Sequence, residues 1–245
     1  MDAVVVVVAP SLGLVTANLL YLSPLRDVRA RVAKGELADL AVIPLAMLAV
    51  NGFAWCVYST VMTDVTILSA FLVFFSNLPG ALLCMYYGTA VLPLPDLSRR
   101  QLLGMRLVFA VGMSATLLGL LASQVACRDK CSPETRSSIL GYVVIAIYMA
   151  TTVSPLLSLV RVLKTRNAAS FSAPLAATML VNGALWAVFG FYIDNIVIWG
   201  PNAFSVLNSV VQLVCLALLP SVPRQCTSVA GVYPDMPAPS AQGFH

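Results

Sequence analysis

The sequence predicts an all-α integral membrane protein with seven transmembrane helices, arranged as two parallel three-helix repeats joined by a linker helix (3+1+3). Three observations carry this. Hydrophobic residues make up 60% of the chain and charged residues 10%, whereas a soluble domain is about half apolar and a quarter charged. Seven apolar runs reach the ~20 residues that a membrane span requires. One apolar segment also occurs twice.

The duplicated segment runs over 44–64 and again over 174–194. Both copies begin Pro-Leu-Ala, at Pro44 and Pro174. Both carry Asn-Gly-x-x-Trp, from Asn51 to Trp55 and from Asn182 to Trp186, and both reach an Asp beyond the apolar run, Asp64 and Asp194. Ser-Pro-Leu precedes each copy, at Pro24 and Pro155. Four landmarks recurring in order at an offset near 130 identify a duplicated unit.

Taken in order, the spans are expected at 4–23, 40–62, 66–91, 103–125, 139–159, 171–192 and 196–219. The first lacks a basic leading region and stays apolar well past the length of a signal peptide core, so it reads as a span. Short connections at 63–65 and 193–195 predict tight hairpins of antiparallel helices. Residues 1–91 form the first repeat, 92–138 the linker with span 4, and 139–219 the second repeat. Residues 220–245, with five prolines among Ser, Gly and Gln, read as a disordered tail. Three spans reverse direction and a fourth reverses it again, so the two repeats enter the membrane the same way.

Charge predicts orientation. Arg26, Arg29, Arg31 and Lys34 follow span 1, and Arg99, Arg100 and Arg106 follow span 3. Arg161, Lys164 and Arg166 follow span 5, and Arg224 lies in the tail. The other side holds Arg128, Lys130 and Arg136. The excess of cations places the tail in the cytoplasm and the N-terminus outside. Cys127 and Cys131 then face an oxidising compartment, where they are free to form a disulfide. The six cysteines show no metal motif, and the sole histidine is His245.

The apolar cores contain no Asp, Glu, Lys or His. That excludes a proton or sodium relay, an intramembrane aspartyl protease and a lysine-bound retinal. What remains is neutral. Asn51 and Asn182 precede Trp55 and Trp186 by four residues, which puts each pair on one helical face. Asn77 and Asn202 lie in spans 3 and 7. An amide both donates and accepts, and an indole offers a flat apolar face, so together they suit a hydroxyl-rich ring. Trp199 has no counterpart and reads as an interfacial anchor. Pro24 and Pro155 fall late in their spans, where a missing backbone donor bends a helix. Pro44 and Pro174 fall at helix starts, where proline is well tolerated.

These residues resemble the SWEET sugar transporters, relatives of the PQ-loop proteins, over roughly 4–219. In the second repeat Trp186, Gly190, Asp194 and Pro201-Asn202 stand in that family's pattern. The resemblance implies an inner-gate tetrad of Pro24, Pro44, Pro155 and Pro174. It implies a pocket of Trp55, Trp186, Asn77 and Asn202, selectivity positions Asn51 and Asn182, and further lining by Leu20 and Thr151. Two departures stand out. Asp64 to Asn77 is 13 residues where Asp194 to Asn202 is 8, and the Pro-Gln pair of the wider group is Pro24-Leu25 and Pro155-Leu156 here. The second departure argues against a proton-coupled lysosomal amino-acid carrier.

The expectation is a bidirectional, facilitative sugar uniporter without enzymatic activity, favouring hexoses such as glucose. It would work by alternating access in the plasma membrane, or alternatively in an internal one. Its partners would be the sugar and the bilayer, with no nucleic acid and no cofactor; a homo-oligomer is compatible. The alternative is a seven-helix receptor that binds a small neutral ligand without moving it.

Overall fold

The computed structural model describes residues 4–38, 40–63 and 65–221. Among these residues there are eight α-helices: α1 (Ala9–Leu22), α2 (Leu25–Lys34), α3 (Val42–Ser59), α4 (Ile67–Ala90), α5 (Arg99–Leu121), α6 (Pro133–Thr165), α7 (Ala173–Tyr192) and α8 (Ile196–Leu218). Single π-helical stretches precede α1 (Val4–Val8) and follow α5 (Ala122–Ala126). By length and composition seven segments can cross a membrane, with α1 and α2 counting as one stretch, Val5–Lys34.

Three local outcomes differ from the expected boundaries. The basic residues after span 1 are not in a loop; they form α2, with Val28 buried on its inner face. Pro24 suits the start of this helix, and Asp27 in the first turn with Arg31 and Lys34 in the last complement its dipole. The connection between α3 and α4 is longer than the expected 63–65. Helix α3 stops at Ser59, where the hydroxyls of Ser59 and Thr60 donate back to Cys56 and Val57 carbonyls at 2.7 Å. Helix α6 starts at Pro133, before the expected 139, because Ser132 caps it. The 193–195 connection is as short as expected. Asp64 and residues 222–245, which include most of the tail, lie outside the described residues.

Packing repeats itself. Helix α3 packs on α4 and α7 on α8; α1 also packs on α4 and α6 on α8. The two sets then meet reciprocally, α1 against α7 and α6 against α3, with α5 leaning on α3 and α6. Such mutual first-on-second contact is what an approximate twofold axis produces. Left-handed C-caps recur too: Gly35 (φ 71°) ends α2 and Arg166 (φ 48°) ends α6. So α1 with α2 matches α6 alone, broken at Ser23-Pro24 in one case and continuous through Pro155 in the other.

The two ends of the bundle differ. At the hairpin end one apolar cluster joins both sets, containing Trp55, Tyr58, Leu140, Trp186, Phe189 and Ile198. At the other end the clusters separate: one centres on Val28, Val42, Tyr87 and Met105, the other on Val162, Ala168 and Cys215. Each has its own clamp. The amides of Leu37 and Ala38 donate to the Asp96 carboxylate at 2.7–3.0 Å, and the amide of Ala168 donates to the Pro220 carbonyl at 2.9 Å.

Candidate functional site

Helical spacing brings the two Asn–Trp pairs into this arrangement. Trp55 and Trp186 are 6% and 7% exposed and belong to one cluster. Trp55 meets Tyr58 edge-on at 5.9 Å and 82°, and Trp186 meets Phe189 at 5.8 Å and 80°. Each indole thus meets an aromatic ring three residues on, at nearly the same spacing and angle. Trp186 packs against Gly13 of α1, where an added Cβ would stand 2.8 Å from the ring. A large indole and a bare backbone fit each other there.

The spacing difference between the repeats is resolved by packing. Gly52 abuts the Asn77 carbonyl and Gly183 the Asn202 carbonyl, in each case 3.1 Å from where a Cβ would sit. Asn77 Nδ2 donates to the Val73 carbonyl at 2.9 Å, and Asn202 Nδ2 to the Ile198 carbonyl at 2.8 Å. Asn77 and Asn202 therefore hold equivalent places, and the extra residues lie in the longer α3–α4 connection and the earlier start of α4.

The asparagines one turn before the tryptophans differ from each other. Asn182 is half-buried and its Oδ1 accepts from the Thr16 hydroxyl at 2.9 Å, which ties α7 to α1. Asn51 is buried and its Oδ1 has no hydrogen-bond partner. Tyr21 lies beside it: its hydroxyl donates to Asn77 Oδ1 at 3.2 Å and faces Asn51, and its ring covers Gly80. Leu20 and Thr151 are half-buried, and the Thr151 hydroxyl donates to the Tyr148 carbonyl of its own helix at 2.6 Å.

Of the four prolines, Pro24 caps α2 and Pro155 lies within α6, while Pro44 and Pro174 occupy the first turns of α3 and α7. Pro24, Pro44 and Pro155 are half-buried and Pro174 is exposed. Trp199 meets Phe191 edge-on at 6.3 Å and lines an apolar groove with Val5, Val188 and Tyr192. Cys127 and Cys131 are joined by a disulfide.

Several residues here escaped the sequence reading. Thr16 and Tyr21 reach the asparagines from α1, and Tyr58 crosses to Asn195, the cap of α8, at 3.0 and 3.2 Å. The available signal was their place on a helix face near the repeat landmarks, but their partners lie on other helices. Helix α8 also buries Ser205, Asn208, Ser209 and Gln212, and the oxygens Asn208 Oδ1 and Ser209 Oγ are without partners. With Asn202, Ser205, Ser209 and Gln212 form one stripe running towards the end where the clusters separate.

Two buried indoles and the amides of Asn51, Asn77, Asn182 and Asn202 thus lie on helices α3, α4, α7 and α8, with the last three amides bonded within the protein. Among the described residues no Asp, Glu or Lys is buried.

Comparison with known proteins agrees in fold and in sequence. Residues 138–224 match the family described as sugar efflux transporter for intercellular exchange. The chain is 24% identical over 202 residues to Sugar transporter SWEET1 of Dictyostelium discoideum, covering 82% of this chain and 87% of that protein. It is 21% identical over 208 residues to Bidirectional sugar transporter N3 of Medicago truncatula, covering 84% and 74%. The structure of a eukaryotic SWEET transporter superposes with a TM-score of 0.73 at 19% identity, over 86% of this chain and 94% of that one. With seven spanning segments and reciprocal packing of the two helix sets, the chain resembles the SWEET transporters in fold, and residues 138–224 match the family model in sequence.

Proposed function

We propose that this chain moves a neutral sugar across a membrane by alternating access, as a uniporter that works in both directions. The observation that carries the reading is the asymmetry between the ends. The two helix sets share one apolar cluster at the hairpin end and have separate clusters at the other. Asn51 and Asn182 lie one helical turn from the tryptophans of the shared cluster. A carrier needs two such arrangements, and the recurring contacts allow one set to rock against the other. The names of the relatives supply the substrate class. No Asp, Glu or Lys is buried among the described residues, and the buried Arg136 Nε lies in the first turn of α6 rather than in the middle of a span, which supports passive equilibration.

The pocket takes Trp55, Trp186, Asn77, Asn202, Leu20 and Thr151 as lining, with Asn51 and Asn182 setting cargo size. Two bulky amides favour a hexose such as glucose over a disaccharide, which would leave displaced polar groups unpaired at about 1–3 kcal/mol each. Residues 1–91 and 139–219 act as the moving units, hinged at Pro24, Pro44, Pro155 and Pro174. The cation excess puts this proline end in the cytoplasm, and the Cys127–Cys131 disulfide supports an oxidising compartment at the opposite end. The plasma membrane suits both.

Uptake of labelled glucose and sucrose into liposomes containing the purified protein tests this. Glucose should equilibrate without accumulating, at the same final level with or without a proton gradient. Accumulation driven by the gradient would falsify the uniport reading, and saturable binding without any flux would favour a receptor.

A further inference from the structure

Outside the central site, the bundle carries a crevice of about 240 Å³ between the end of α4 and the start of α5. Gly88, Leu92, Leu102, Met105 and Phe109 make it apolar, and Arg106 is its one charged residue. It exists because α5 closes on α3. Gly104 packs against Ile43, and Gly112 against the side chain of Val50. Gly88, with no side chain, sits over Met105 and Phe109 and leaves the space between open.

The cation is out of place. Arg106 stands seven residues into a helix that is otherwise apolar enough to span a membrane. That puts its Cα about 10 Å below the start of α5 at 1.5 Å per residue. Arg99, Leu102, Arg106 and Phe109 share one helical face, so a second cation stands above the crevice on the same stripe. Arg106 is exposed, and among the described residues neither Arg99, Arg100 nor Arg106 forms an ion pair. The nearby carboxylate of Asp96 is already bonded to the Leu37 and Ala38 amides. The hydroxyl of Thr89, also at the crevice, donates to Met85 and Tyr86 carbonyls. An arginine at this depth extends towards the headgroup layer and seeks an anion there.

We propose that this crevice holds one anionic phospholipid, with its phosphate on Arg106 below Arg99 and an acyl chain against Leu92, Leu102 and Phe109. Charge selects the headgroup, and the apolar walls select a lipid over a soluble anion. The site lies at the end where the two helix sets separate, so its occupant contacts α4 and α5 beside the part that would move.

Native mass spectrometry of the full-length protein in detergent tests this, by titration with phosphatidylglycerol and with phosphatidylcholine of the same chains. Phosphatidylglycerol should bind at least about fivefold tighter, the effect of roughly one basic residue near the surface. Arg106→Gln should abolish that preference and Arg106→Lys should keep most of it. Gly88→Leu, which fills the crevice without changing charge, should weaken phosphatidylglycerol binding, with helix content by circular dichroism unchanged. An equal preference in wild type and Arg106→Gln, or none in wild type, overturns the proposal. So does displacement of the lipid by millimolar inorganic phosphate, or a protein dimer that replaces the lipid adduct and is lost in Arg106→Gln.

Discussion

The Tyr58 hydroxyl and the Asn195 side-chain amide meet at 3.0 and 3.2 Å, joining α3 to the cap of α8 across the junction of the two helix sets. Asn195 also receives the Ile198 amide at 3.3 Å, so one side chain both starts α8 and holds it to α3. Tyr58→Phe keeps the ring against Trp55 and removes only the hydroxyl, whose bond to Asn195 is worth about 1 kcal/mol and which also faces Ser137. Asn195→Ala also removes a helix cap, worth a further ~1 kcal/mol. Thermal unfolding of the detergent-solubilised variants should therefore rank wild type above Tyr58→Phe above Asn195→Ala. Equal loss in both variants would show that capping contributes nothing.

Gly13 bears the Trp186 indole directly. Gly13→Ala should cost about 1–3 kcal/mol through overpacking. Combining it with Trp186→Leu should recover stability while sugar transport stays low, because the ring itself is lost. Thermal stability and liposome uptake, measured on the same preparations, separate the two effects.

The Asn51 oxygen is without a partner while that of Asn182 is engaged by Thr16. Asn51→Ala should weaken glucose binding by about tenfold or more if a sugar hydroxyl pairs with that oxygen. Thr16→Val should change binding less and loosen the α1–α7 contact instead. Calorimetric titration with glucose measures the first, and an unchanged affinity in Asn51→Ala would remove this residue from the pocket. The paired change Asn51→Ser with Asn182→Ser should extend uptake towards sucrose.

Pro24 and Pro155 are counterparts in sequence but not in structure, since only Pro24 coincides with a helix break. Pro24→Ala lets α1 run into α2 and should slow transport severalfold or more while binding persists. Pro155→Ala acts on a helix that is already continuous and should have the smaller effect. Initial uptake rates at equal surface expression decide the order.

The Leu37 amide, with that of Ala38, holds the Asp96 carboxyl below the ordinary carboxylate range. A carboxyl depressed on folding contributes stability above its unfolded pKa, and this is lost as pH falls through the folded value. The wild type should therefore lose thermal stability below about pH 4, the ordinary aspartate value. Asp96→Ala should be less stable at neutral pH and should lack that part of the acid slope. Parallel melting curves from pH 3 to 7 show whether it does.

Much of this architecture was legible in the chain itself. Span number depends on local apolar length, and the duplication on residue order, so both could be read without knowing any contact. The Asn–Trp faces followed from helical spacing in the same way. Helix α2 was hidden because four cations obscured a single buried residue, Val28, whose partners lie in α3 and α4. Tertiary structure alone decided that Asn77 matches Asn202, because the match rests on two glycines of other helices, Gly52 and Gly183. It also decided which asparagine oxygen is free, since the Thr16 that occupies one lies 166 residues away. The joined hairpin end and the divided opposite end belong to the same class: they are relations between helices, and no single segment contains them.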